Sequence, residues 1–182
     1  KTTSGLITAL KNPNHAMRYI AWTELHKRQN DVKPALQKLA GDANPRFRAR
    51  ALWLLSQIHG NQKATIELAL KDMDDNIRGM ALRISRQHKL DVIPFIKQLA
   101  ADKSALVRRE CLIALRHSKS AEAPALWAKL ASKHDGKDRW YLEALGLAAD
   151  QQENSFFDAW LESTSKLNTT AARDIIWRNR GT

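Results

Sequence analysis

The sequence predicts an all-α fold, a solenoid of five to six helix pairs, and three observations predict it. The first is a strict repeat. Arg18, Arg48, Arg78 and Arg108 stand 30 residues apart, each followed at +3 by a small residue (Ala21, Ala51, Ala81, Cys111). Six residues before each arginine lies Asn12, Asp42, Asp72 or Asp102. A fixed period of this order marks a stacked-repeat architecture, because one such unit cannot bury its apolar face alone. The second observation is the spacing of apolar residues, which follows a helical period throughout. The third is the punctuation: Pro, Asn and Asp recur at the same places in each repeat, as helix starts require. The period places repeats at 1–30, 31–60, 61–90, 91–120, 121–150 and 151–182, all within one domain, 1–182.

Each repeat reads as two helices, and residues 31–60 show the pattern. Asn30 and Asp31 are in position to cap the first helix, and Pro34 sits in its first turn, where a missing N–H costs little. Pro94 and Pro124 hold the same place. The first-helix stripe is Leu36 and Leu39, then Ile66 and Leu70, Ile96 and Leu99, Leu126 and Leu130, Phe156 and Trp160. Gly41 and Asp42 make a short turn. Asn44 caps the second helix, with Pro45 at its first position. The matching caps are Asn14, Asp74, Ser104 and Thr164, with His134 as the exception.

The second helix carries four apolar or small columns. They are Met17, Phe47, Ile77, Val107 and Leu167; Ala21, Ala51, Ala81, Cys111 and Ala171; Trp22, Leu52, Leu82, Leu112 and Leu142; and Leu25, Leu55, Leu115, Leu145 and Ile175. Offsets of this kind share one helical face. Cys111 falls in the small-residue column, where it reads as a small buried hydrophobe. The pattern weakens after about residue 130: Asp138 stands in the arginine column, Tyr141 in the small column, and Ser132 and Glu162 in the Asp column.

Composition narrows the function. Hydrophobic residues make up 43% of the chain, enough for a sizeable core. A single cysteine excludes an internal disulfide and any CxxC motif. No apolar run is long enough to span a bilayer. The six histidines show no i, i+4 pair and join no Cys or carboxylate cluster, so no metal is expected. The seven glycines are isolated, so there is no phosphate-cradling loop. No cofactor and no catalytic residue are expected. The chain opens and closes inside repeats and reads as a piece of a longer protein. The formal net charge of +11 points to an anionic partner or to plain solubility.

The paired helices, the Asp before the second helix and the Val-Arg-x-x-Cys start at 107–111 resemble HEAT repeats of the short bacterial type. That resemblance implies a right-handed α-solenoid. It also implies a structural ladder of Asp42, Arg48, Asp72, Arg78, Asp102 and Arg108, in which each Asp accepts turn N–H bonds and each Arg reaches the Asp of its own or the next repeat. ARALWLLSQIHG (49–60), RGMALRISRQ (78–87), VRRECLIALRHS (107–118) and KHDGKDRWYLEALGLAAD (133–150) resemble, more narrowly, the HEAT segment of planctomycete and verrucomicrobial multidomain proteins. Those join a sugar-dehydrogenase-like propeller, a HEAT segment and a haem-binding CxxCH domain. No CxxCH is present here, so the resemblance implies a spacer between redox domains in the periplasm or cell envelope.

The outward side of the second helices carries Arg50, Trp53, Arg83, Arg86, Arg109, Arg116, Arg139 and Trp140, with Glu110 and His117 among them. In HEAT solenoids these helices line the concave side, so these residues form the expected binding face. The expected function is therefore a non-catalytic interaction or scaffold segment. Its partners would be flanking domains or an acidic protein, without membrane insertion. The alternative is a nucleic-acid module of the HEAT-like alkylpurine DNA glycosylase type, in which arginines and tryptophans contact phosphate and stack on bases.

Overall fold

The computed structural model describes residues 2–180; Lys1, Gly181 and Thr182, the outermost positions of the first and last expected repeats, lie outside the described residues. The described residues form twelve α-helices and one 3₁₀ turn, in two compact units that divide between His88 and Lys89.

The first unit holds three helix pairs. α1 (Thr3–Lys11) packs on α2 (His15–Lys27), α3 (Lys33–Leu39) on α4 (Pro45–Gln57), and α5 (Gln62–Leu70) on α6 (Asp75–Gln87). Successive pairs also stack like on like, α1 on α3, α2 on α4 and α4 on α6. The first-helix stripe of Leu6, Leu10, Leu36, Leu39, Ile66 and Leu70 is buried, as is the small column of Ala21, Ala51 and Ala81. Burying each large side chain is worth about 1.5–3 kcal/mol. A single two-helix repeat has too few of them to offset its own ordering entropy, so stability comes from stacking. The fourth register column has no apolar residue in the third repeat. There Ser85 is buried and donates its hydroxyl to the Ala81 carbonyl at 2.8 Å, which satisfies it within its own helix.

The second unit contains α7 (Ile93–Leu99), α8 (Ala105–Leu115), α9 (Ala123–Ala131), α10 (Arg139–Ala149), α11 (Glu153–Ser163) and α12 (Thr170–Arg178). Here like-on-like stacking is strongest, α9 on α11 and α8 on α10. Trp127 anchors it. The side chain is fully buried, its indole N–H donates to the Leu145 carbonyl at 3.0 Å, and its ring lies 5.9 Å from that of Phe156.

Several expected details are corrected. Asn30 and Asp31 do not cap α3: they lie in a 3₁₀ turn, Gln29–Val32, and the N-cap position belongs to Val32, whose side chain makes no capping bond. Asn14, Asn44 and Asp74 do cap α2, α4 and α6 through their side chains, and Ser104 stands at the N-cap of α8. The last two second helices start late. α10 is capped by Asp138, which accepts the Tyr141 N–H, and α12 by Thr169 instead of Thr164. Met17 and Leu167, expected in an apolar column, are about half exposed, and Trp22 is half-buried, stacked on His26.

The late start of α10 has a local cause. Asp135 Oδ1 accepts the N–H groups of Lys137 and Asp138, which winds residues 135–138 into a longer turn. Gly136 sits at φ 73°, and a Cβ there would come within 3.1 Å of the Ala171 nitrogen. The left-handed backbone favours glycine, and the close approach of α12 leaves little room for any side chain there. Most second helices end in the same way. Gln29, Lys89, His117 and Gln151 adopt positive φ just beyond them, and Gly60 does so after α4. Four of these five positions are not glycine, so the sequence carries no signal for this chain reversal.

Cys111 lies fully buried in its column. Burial, with the Asp102 and Glu110 charges adding to it, drives its thiol pKa far above the ordinary value. Cys111 should therefore resist a thiol reagent in the native protein at about pH 8 and react once the chain is denatured. Stoichiometric labelling of the native protein within minutes would contradict this placement.

Candidate interaction face and the arginine turns

The recurring arginine closes the turn that precedes its own helix. Arg18 Nη1 donates to the carbonyls of Asn12 and Pro13 at 3.1 and 2.5 Å. Arg48 does the same to Asp42 and Ala43, both at 3.0 Å. Arg78 serves Asp72 and Met73 at 3.0 Å, and Arg108 serves Asp102 and Lys103 at 2.6 and 3.0 Å. The own-repeat partner of the arginine is thus a pair of backbone carbonyls. The own-repeat partner of the Asp side chain is a backbone N–H: Asp42, Asp72 and Asp102 accept from Asn44, Asp74 and Ser104 at 2.8–2.9 Å.

Arg48 uses its other edge on the next repeat. Its Nε and Nη2 donate in a fork to the two carboxylate oxygens of Asp72, at 2.8 and 2.7 Å. Both side chains are only 10% exposed, so the pair is shielded and its geometry is the strong, bidentate kind. Burial pushes the Asp72 carboxyl up, but the Arg48 and Asp74 hydrogen bonds outweigh it and hold the group below its usual range. One repeat earlier, Asp42 is claimed by Lys11 at 2.7 Å, and that bond and the Asn44 N–H lower its pKa. In the fifth repeat Ser132 replaces the Asp. The Arg108 guanidinium instead lies over the Tyr141 ring, 5.5 Å from its centre. Tyr141 is buried, donates its hydroxyl to the Leu130 carbonyl at 2.8 Å, and has its pKa raised by burial to about 12.

The face arginines differ in how far they are engaged. In the first unit, Arg50 is half-buried, donates to the Leu10 carbonyl at 2.9 Å and lies over the Phe47 ring. Burial, with Arg18 and Arg46 nearby, lowers its pKa. Trp53 is half-buried beside it on α4, while Arg83 and Arg86 are exposed on α6. In the second unit, Arg109 lies 3.6 Å from Asp138, Arg116 forks onto Asp150 Oδ2 at 3.1 and 2.6 Å, and Arg139 bonds Glu143 at 2.7 Å. Trp140 is 73% exposed. Residues 1–88 contain 15 Lys and Arg against 7 Asp and Glu, whereas residues 89–182 contain 15 against 12. The excess positive charge therefore belongs mainly to the first unit.

Two features escaped the sequence reading. Trp22 and His26 stack at 4.9 Å on α2, and Tyr19 and Ile20 are exposed on the same helix. An aromatic pair at i, i+4 was the available signal. His134 is buried, with Nε2 3.1 Å from Asp174 and its ring stacked on Tyr141. Those partners come from later in the chain, so nothing local announces them. Among the described residues, no three His, Cys, Asp or Glu side chains gather as a metal site, and no helix is long and apolar enough to cross a membrane.

Residues 3–69 match the family model for HEAT repeats. With the stacked helix pairs and the arginine turns, this match supports an all-α, solenoid-type fold similar to that of HEAT repeats. No curated protein matches the chain in sequence.

Removing Arg48 leaves the Asp72 carboxylate shielded and unpaired and two turn carbonyls without their donor. Arg48→Ala should cost about 2–4 kcal/mol in denaturant unfolding, and Arg48→Lys, which cannot fork, should recover only part of it. A loss no larger than that of exposed Lys63→Ala would refute this role. The folded pKa of Asp72 lies below its unfolded value. Its contribution is therefore complete above about pH 4 and is lost as pH falls through the folded pKa. Asp72→Asn should flatten that part of the acid-unfolding curve; an unchanged acid limb would count against the pair.

Proposed function

We propose that this chain is a non-catalytic docking segment that binds acidic protein surfaces, either flanking domains of a longer parent or a separate partner. HEAT repeats commonly act as interaction scaffolds. The observation that carries the reading is the charge of the first unit, where Arg83 and Arg86 are exposed on α6 and Arg50 and Trp53 stand on α4. Clustered cations steer an anionic surface, whereas scattered ones only confer solubility. The resemblance to the planctomycete and verrucomicrobial proteins supports a finer reading, a spacer beside redox domains in the periplasm or cell envelope.

Nucleic acid is the competing partner, favoured by the interleaving of arginine with tryptophan. The two readings separate by salt and by aromatic dependence. Oligonucleotide binding by the docking segment should be weak, should largely vanish near about 150 mM salt through counterion competition, and should be indifferent to Trp53→Ala. An acidic peptide should bind, and Arg83→Glu with Arg86→Glu should weaken it about tenfold or more. Fluorescence anisotropy at two salt concentrations measures both. Sub-micromolar oligonucleotide binding at about 150 mM salt, lost in Arg83→Glu and in Trp53→Ala, would replace the docking reading with the nucleic-acid one.

A further inference from the structure

An apolar groove of about 350 Å³ lies between α1 and α2, lined by Gly5, Leu6 and Ala9 on one side and Met17, Ile20 and Ala21 on the other. Met17 and Ile20 are 46% and 45% exposed, whereas Ile77 and Met80, at the same register positions two repeats on, are 1% and 8% exposed. The difference is what lies ahead of them. In the second repeat these positions are Phe47 and Arg50, and both meet the preceding repeat. Lys11 Nζ lies 5.2 Å from the centre of the Phe47 ring, and Arg50 donates to the Leu10 carbonyl at 2.9 Å. The groove is therefore the stacking face of the first repeat, and no described helix covers it.

The groove has a shape and a charge. Gly5 and Ala9 carry no bulky side chain, so another backbone can come close to α1. The two helices hold Lys11, Arg18 and Lys27 against one carboxylate, Glu24, which itself lies 3.2 Å from Lys27. An apolar floor with cations around it complements a helix whose apolar stripe is flanked by carboxylates. A second copy of this chain is a poorer match. Two first units would meet with like charge, since residues 1–88 carry 15 Lys and Arg against 7 Asp and Glu. α11 is acidic, with Glu153, Asp158 and Glu162 and no cation, but its Phe156 and Trp160 are already buried.

We propose that the α1–α2 groove docks an acidic amphipathic helix of a partner protein, seated where a preceding repeat would stack. Its apolar stripe would cover Met17 and Ile20, and its carboxylates would face the cations of α1 and α2. Covering apolar side chains that are now about half exposed supplies the driving force, and the charges set the choice of partner. The acidity of the partner rests on the docking reading above, but the surface does not, since it uses neither Arg83 nor Arg86.

The test is fluorescence anisotropy of the full chain with a labelled synthetic helix of about 18 residues, bearing Leu at i, i+3, i+4 and i+7 with Glu beside them. Two control peptides carry Lys for Glu, or Ser for Leu. The acidic peptide should bind with a Kd of about 10 μM, and each control should bind about tenfold or more weakly. Ile20→Asp should weaken the acidic peptide about tenfold or more. If Ile20→Asp fails to fold by thermal melting, Met17→Ser decides in its place. Arg83→Glu with Arg86→Glu should leave this affinity within about twofold, which separates the groove from the docking face. No binding up to about 1 mM, equal binding of either control, or full binding by the groove variant would each overturn the proposal. So would loss of binding in the Arg83/Arg86 variant alone, or a dimer in sedimentation that Ile20→Asp dissolves, which would make a second copy the occupant.

Discussion

Arg48 joins two jobs that a repeat protein must perform together. One edge of its guanidinium satisfies the carbonyls of the turn inside its own repeat, and the other forks onto Asp72 of the next. Turn closure and repeat stacking are thus coupled through one rigid, planar cation. A lysine has a single charged point and cannot serve both edges. The turn geometry fixes where α4 begins, and the fork fixes where the next turn sits. In the first unit the small column of Ala21, Ala51 and Ala81 is buried where α2, α4 and α6 stack.

Where the repeat pattern breaks, other contacts take over. Lys11 substitutes for an arginine at Asp42, and the Tyr141 ring receives Arg108 where the next Asp is missing. The fifth turn reads as degenerate because its residues answer to α12. Gly136 admits the start of that helix, and His134 bonds Asp174 within it. Tyr141 is too large for a small-residue column, yet α10 accommodates it by burying the ring and giving its hydroxyl the Leu130 carbonyl. Irregular sequence here therefore records tertiary packing and not a loss of structure.

The expected binding face is altered by the same local pairing. Its residues all lie on or just beyond second helices, but Arg109, Arg116 and Arg139 have acidic neighbours in the second unit, and Arg50 is drawn down to a backbone carbonyl and an aromatic ring. Counting arginines by register position overstates the exposed charge. Long cationic side chains fold back onto whatever acceptor lies within reach, and that acceptor is often far away in sequence. The first unit keeps its basic character because it has few carboxylates to answer its cations.

By itself the sequence determined what depends on local and periodic physics. The 30-residue period, the helix pairs, the caps at Asn14, Asn44 and Asp74 and the buried first-helix stripe all follow from side-chain chemistry acting within one repeat. Only the tertiary structure decided which partner each arginine took and that Arg178 of α12 would lie close against Gly146 of α10. These outcomes turn on contacts between residues some 20 to 40 positions apart, such as Arg48 with Asp72 and His134 with Asp174. A helical period specifies which face is buried. It does not specify which of several donors reaches a given acceptor, because that choice depends on distances set only when the repeats are stacked.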